Sequence, residues 1–269
     1  MDMQEVTKID VLIKNIATKH QVKISEELFL ALEMCVNKKV IYQEKNNWAD
    51  TQLPLLNEIE KILNNHPNQN TDIQLALRAL KNLKMYTNYV QNNYSQDRDF
   101  WMFENLKWIV KNKANNGKVF IWAHNEHINF KGFGNYSNRK IYNLGKHLKA
   151  YYQNDYYAVG FDFEKGTLGG FTQQDQKLKW QLYPINQAFA NTFAATLAKA
   201  KEEIFFIEIT KENTESFKFF NKRQLQLLTG GLGYQPNRNN LYTKKYAEMY
   251  DALIFIKVIS LSANIFNRE

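Results

Sequence analysis

Cysteine is nearly absent: Cys35 is the one example in 269 residues, which excludes a disulfide framework and any multi-cysteine zinc or iron–sulfur site. Proline (4) and glycine (11) are scarce, which excludes a collagen-like chain or a Pro-rich linker. No stretch approaches eighteen consecutive apolar residues, so no transmembrane helix and no membrane partner are expected. The opening MDMQEVTKIDVLIKN has no basic region followed by an apolar one, so it is not a signal peptide, and a cytoplasmic location is expected. Several catalytic motifs are missing as well. There is no Gly-x-Ser-x-Gly elbow and no His-Glu-x-x-His, and Lys165-Gly-Thr-Leu-Gly-Gly170 has the wrong order for a phosphate-binding loop. Gly230-Gly-Leu-Gly233 follows a helical pattern and reads as a helix stop.

What is present suffices for a sizeable core, at 44% hydrophobic and 14% aromatic residues. The net charge of +8 comes from 35 basic against 27 acidic residues, with lysines scattered along the chain. Without a basic stripe or a binding motif, that balance points to no nucleic-acid partner.

Two halves differ in pattern. Residues 1–116 read as successive helices. One candidate is Ser25–Glu44 with Ser25 as N-cap, and another is Asp50–Asn65, stopped by His66-Pro67. A third opens on a capping box from Thr71 to Gln74, and a fourth runs from about Ser95 to Asn115. Cys35 lies among Leu28, Ala31, Leu32 and Met34, which suits a buried structural thiol.

From 117 to 269 short apolar runs alternate with helical stretches. Lys118–Ala123, Tyr157–Phe163, Ile204–Ile209 and Leu253–Ile259 read as buried strands, the first as an interior one. Ile141–Tyr152, Ile185–Lys201 and Thr214–Leu225 read as helices, and residues 166–183 as a hairpin or sheet edge. The expected fold is α/β: a helical N-terminal region, then a largely parallel sheet covered by helices in a three-layer α/β/α-like arrangement.

The segment richest in chemistry is Lys118–Ile128, KVFIWAHNEHI. His124, Asn125, Glu126 and His127 follow the apolar run directly, and ligands of parallel sheets bind beyond the carboxyl ends of strands. Two imidazoles can divide the base and acid roles near neutral pH, and a turn after Ala123 lets both face one cleft. The bland alternative has His124 as a cap and His127 in solvent. His20, His66 and His147 read as surface residues. On a second segment, Arg98, Met102, Asn105 and Trp108 share one helical face, where a polar Arg98 and Asn105 suggest a site or strand ends nearby. Asp162 is polar at the end of an apolar strand.

Three segments resemble the erythromycin esterase family, which also contains succinoglycan biosynthesis-like proteins. They are Arg98-Asp99-x-x-Met102-x-x-Asn105-x-x-Trp108, VFIWAHNEHI at 119–128 and YYAVGFDFEKG at 156–166, with Tyr250–Ile256 similar too. The resemblance implies hydrolysis of a carboxylic ester, typified by a macrolide lactone, by histidine-activated water without metal or other cofactor. It places His124 and His127 on the family's paired active-site histidines, with Arg98, Asp99, Asn105, Asn125, Glu126 and Asp162 in supporting or substrate-binding positions. The family's N-terminal Gly-Glu-x-x-His-Gly segment has no match; His20 stands in Thr18-Lys-His-Gln21. The expectation is therefore a chain that lacks the family's N-terminal portion, pairs with a missing N-terminal half, and has little or no esterase activity alone. Two other readings stay open: a non-catalytic binding module of the same fold, and, less favoured, a metal-dependent hydrolase using His124, His127 and Glu126.

Overall fold

A computed structural model describes residues 8–37, 48–91, 98–112, 114, 117–132, 142–174, 177–227 and 236–260. The chain divides into two compact units, Met1–Phe120 and Ile121–Glu269.

The first unit contains α1 (Ile9–Lys19), α2 (Glu26–Val36), α3 (Trp48–Asn64), α4 (Thr71–Gln91) and α5 (Arg98–Asn112). Apolar residues at helical spacing form its core. Ile9, Ile13 and Ile16 of α1, Leu56, Ile59 and Leu63 of α3, and Ile73, Leu80 and Leu83 of α4 are all buried together. Cys35 is fully buried among them, and burial pushes its thiol up to about 12, as expected of a structural cysteine. Ser25 caps α2 by accepting from the Leu28 N–H.

The cap of α4 is not the expected Thr71. The Asn70 Oδ1 accepts from the Asp72 and Ile73 N–H groups at 2.9 and 3.1 Å, so one carboxamide satisfies two of the helix's orphan donors and Thr71 becomes the first helical residue. His20 is also not a plain surface residue. Its Nε2 lies 2.8 Å from Asp72 Oδ2 and its Nδ1 3.2 Å from the Asn70 amide, which ties the end of α1 to the start of α4.

The second unit holds two short helices, α6 (Asn125–Ile128) and α7 (Leu144–Tyr152), followed by β1 (Val159–Gln174) and β2 (Lys177–Ile185). After these come α8 (Phe193–Leu197), β3 (Ile204–Glu208), α9 (Thr214–Phe220), β4 (Gln224–Leu227), β5 (Leu241–Lys244) and β6 (Ala252–Ile259). The main sheet has the order β2-β1-β6-β3, and β4 and β5 form a separate pair. The central β1/β6 pair is parallel, while β1/β2 and β3/β6 are antiparallel. The molecule is thus a mixed α/β protein, and residues 166–185 form the expected hairpin. Phe193, Phe220, Tyr246, Tyr250, Leu253 and Phe255 make the second core, with Phe193 stacked on Tyr246 at 4.0 Å between ring centroids.

Several expected elements differ. Lys118–Ala123 forms no strand: Phe120 and Trp122 are 83% and 75% exposed, and no described strand pairs with the run. An apolar run becomes a strand only where a neighbour offers its hydrogen-bonding edge. β3 is an edge strand, with Ile204 and Phe206 exposed on one face, and so is not buried on both sides. The helix expected over Ile185–Lys201 shrinks to α8, because Ile185 ends β2 and Thr192 caps a new helix by accepting from the Ala195 N–H. The helix expected to Leu225 stops at Phe220, since Gln224–Leu227 pairs with Leu241–Lys244, a partner distant in sequence. Gly230–Gly233 lies outside the described residues.

A cluster of buried asparagines fixes α6. Asn143, fully buried, donates to the Glu126 and Asn129 carbonyls at 2.6 and 3.0 Å and caps α7 by accepting from the Lys146 N–H. Asn129, also fully buried, donates to the Asn125 and Glu126 carbonyls and accepts from the Lys131 and Gly132 N–H groups. Tyr156 Oη donates to the Ile128 carbonyl at 2.6 Å. The carbonyls that a four-residue helix leaves open are therefore satisfied by side chains. α7 approaches so closely that a Cβ on Gly145 would lie 2.1 Å from the Ile128 oxygen. Gly145→Ala is expected to destabilise the second unit by about 2 kcal/mol or more through backbone displacement. Asn143→Ala is expected to cost a similar ~2 kcal/mol by orphaning buried carbonyls. Urea unfolding followed by tyrosine and tryptophan fluorescence measures both; unchanged midpoints would contradict this packing.

Candidate functional site

His124 is the N-cap of α6, and its Nδ1 accepts from the Glu126 N–H at 3.2 Å. A neutral imidazole that accepts at Nδ1 carries its proton on Nε2, so the ring's other nitrogen is a donor. The turn that α6 makes directly after Ala123 carries Asn125, Glu126 and His127 in sequence. Asn125 pairs with β1 as another strand would: its Nδ2 donates to the Phe161 carbonyl at 2.6 Å and its Oδ1 accepts from the Phe161 N–H at 3.0 Å. Glu126 binds Lys244 of β5 through both carboxylate oxygens, at 3.0 and 3.1 Å, with both side chains largely buried.

His124, Asn125 and Asp162 line one cavity of about 460 Å³. Its other lining residues are mostly apolar, among them Trp122, Phe161, Phe163, Leu227 and Ile256, with Gln226 the remaining polar one. Trp122 packs on Phe161 at 5.2 Å between ring centroids, so this exposed indole forms part of the wall. Glu126 and His127 are not among the lining residues; His127 is half-buried on α6.

Asp162 lies within β1, and alternation along the strand puts it on the face opposite Phe161 and Phe163. Its Oδ2 accepts from Tyr246 Oη at 2.6 Å and its Oδ1 from the Phe163 N–H at 2.9 Å. Burial disfavours the charged form and raises its carboxyl to about 6, a rise that the two hydrogen bonds oppose. The same burial, with the Asp162 charge beside it, drives Tyr246 well above the ordinary phenol range.

Arg98, Asp99 and Asn105 belong to α5 of the first unit, where Asp99 and Asn105 are buried and Arg98 is half-buried. Among the described residues no group of three or more His, Cys, Asp or Glu side chains is placed to hold a metal ion. No described helix is long and apolar enough to cross a membrane.

Sequence reasoning did not single out Tyr246, Gln226, Lys244, Asn129 or Asn143. A buried tyrosine beside a strand aspartate leaves no local pattern. The asparagines had one faint signal, namely their density around the His-x-x-His turn.

The signature of the erythromycin esterase family matches residues 22–259. Among solved structures, the chain resembles a Bacillus cereus protein with TM-score 0.73 and 18% identity, over 97% of this chain and 65% of that one. It resembles a succinoglycan biosynthesis protein with TM-score 0.73 and 14% identity, over 94% of this chain and 62% of that one. A mutant of the erythromycin esterase EreC, in its open conformation, gives TM-score 0.57 and 13% identity, over all of this chain and 69% of that one. The chain thus spans just under two thirds of the length of the first two of these proteins. Comparison with curated proteins gives no match. The match over most of its length, with the shared fold, makes this chain a member of the erythromycin esterase family.

Proposed function

We propose that the chain is an erythromycin esterase-like hydrolase that cleaves a small-molecule carboxylic ester, such as a macrolide lactone, by histidine-activated water. The observation that carries this reading is the cavity of largely apolar lining on which His124 and Asn125 meet. An ester of that kind is mostly hydrocarbon with a few polar atoms, which suits apolar walls and one or two placed donors. In this reading His124 donates from Nε2 to the ester carbonyl oxygen, where negative charge develops as water adds. His127 lies off the cavity wall, so in this reading it takes the proton from the attacking water through one intervening water, and the proton then passes to the leaving alkoxide, giving an acid and an alcohol. Asn125 and Glu126 hold the histidine turn in place, and Asp162 is proposed as a supporting residue on the lining of the same cavity. Arg98, Asp99 and Asn105 are proposed as supporting residues of the same reaction. The scheme needs no metal or other cofactor. Cytoplasmic inactivation of an antibiotic is the biological role that fits it.

A second reading, a binding module without turnover, is favoured by one fact: His127 is not among the residues that line the cavity with His124.

Mass spectrometry of a 14-membered macrolide incubated with the protein separates the two readings. Slow ring opening is expected, falling by ~10²-fold or more in His124→Asn while the unfolding midpoint is kept. Saturable macrolide binding without ring opening would favour the binding module. Neither binding nor turnover would overturn both.

Asp162 gives a further expectation. Its carboxyl holds its proton more tightly folded, at about 6, than at the ordinary 3.8, so its favourable contribution is complete below pH 3.8 and is lost as pH rises through 6. The loss between those limits is roughly 3 kcal/mol. Urea unfolding at pH 4 to 8 is expected to show this decline, and Asp162→Asn to flatten it. Parallel pH profiles for the two proteins would contradict the assignment.

A further inference from the structure

A second cavity in the same unit, of about 330 Å³, is built from basic side chains on three separate elements. Lys131 comes from the turn after α6, Arg223 from the approach to β4, and Lys244 and Lys245 from the end of β5. Gly132, Thr243 and Met249 complete the wall, and Glu248 is the one acidic lining residue. Lys131 and Lys245 both bind Glu248, the latter at 2.9 Å, and together they hold its carboxyl below the usual range. Lys244 is turned to Glu126 behind the wall. Arg223 is exposed and makes no ion pair or hydrogen bond with any described residue. Four cations thus face two carboxylates, which leaves a local excess of two positive charges, one of them on the Arg223 fork, which has no partner among the described residues.

We propose that this cavity binds the phosphoryl group of a small phosphomonoester. A monoanionic carboxylate would exchange one carboxylate for another at Lys131 and Lys245 and gain little. A phosphoryl dianion matches the excess charge, accepts two parallel N–H bonds from Arg223, and leaves oxygens for Lys245 and the Thr243 hydroxyl. The volume lies in the range of small-molecule sites and exceeds what a bare ion fills, which leaves room for an organic part. The inference stands apart from ester hydrolysis, since it uses none of the residues lining the His124 cavity.

Isothermal titration calorimetry of the whole chain at low ionic strength tests it with phenyl phosphate, inorganic phosphate and benzoate. Expected is saturable one-site binding of phenyl phosphate, at least tenfold tighter than inorganic phosphate, weakening as salt is added, with no measurable heat from benzoate. Arg223→Ala should weaken phenyl phosphate at least tenfold and Arg223→Lys less. Equal, Arg223-dependent binding of inorganic phosphate would support the site and identify the phosphoryl group as its whole ligand. No saturable binding, benzoate binding as tight as phenyl phosphate, or affinity unchanged in both Arg223→Ala and Lys245→Ala would overturn the proposal. None of these readouts depends on turnover, so failure here leaves the ester reading standing.

Discussion

The pairing of the Asn125 carboxamide with the Phe161 backbone is the contact on which the candidate site depends. It lets a side chain stand in for a strand, closing the exposed edge of β1 at that point and fixing where α6 begins. Everything that α6 carries inherits that position. His124 becomes the cap, its Nδ1 consumed by the Glu126 N–H, and its remaining ring nitrogen is made a donor. A four-residue helix has no intrinsic stability in water, so its order comes from the surrounding side chains. Asn129, Asn143 and Tyr156 supply it by taking up its open carbonyls, and Lys244 anchors it from the opposite side through Glu126.

A costly element lines the same cavity, the buried Asp162. A carboxylate out of water is unfavourable unless hydrogen-bonded, and here Tyr246 and the Phe163 N–H provide the bonds. Tyr246 is itself packed against both Phe193 and Phe220, which also touch each other, so the core fixes the phenol and the phenol fixes the carboxylate. The aromatic cluster and the polar site are therefore one packing unit.

Much of this was legible in the sequence, for reasons that differ by element. The helices of the first unit obey periodicity, because their apolar faces pack mainly on one another; Leu56, Ile59 and Leu63 mark α3 directly. The β1–β2 hairpin and β6 were legible as apolar or alternating runs. The His-x-x-His turn was legible as a clustering of residue types. What failed were strand and cap assignments that turn on a partner the sequence does not mark. Lys118–Ala123 has the composition of a strand but no described strand beside it, and Gln224–Leu227 looks helical until Leu241–Lys244 is placed next to it. The cap of α4 moved by one residue because Asn70 and Thr71 are both competent and only geometry chooses between them. Asp162 and Tyr246 are 84 residues apart, and no local pattern announces such a bond.

The orientation of one ring is the most direct test of this account. Nitrogen-15 NMR of histidine-labelled protein, with His124 assigned by comparison with His124→Asn, reports which ring nitrogen carries the proton in the neutral form. The structure predicts a proton on Nε2 and a bare, accepting Nδ1. A neutral His124 protonated at Nδ1 would contradict the cap, the donor it directs, and the chemistry built on both.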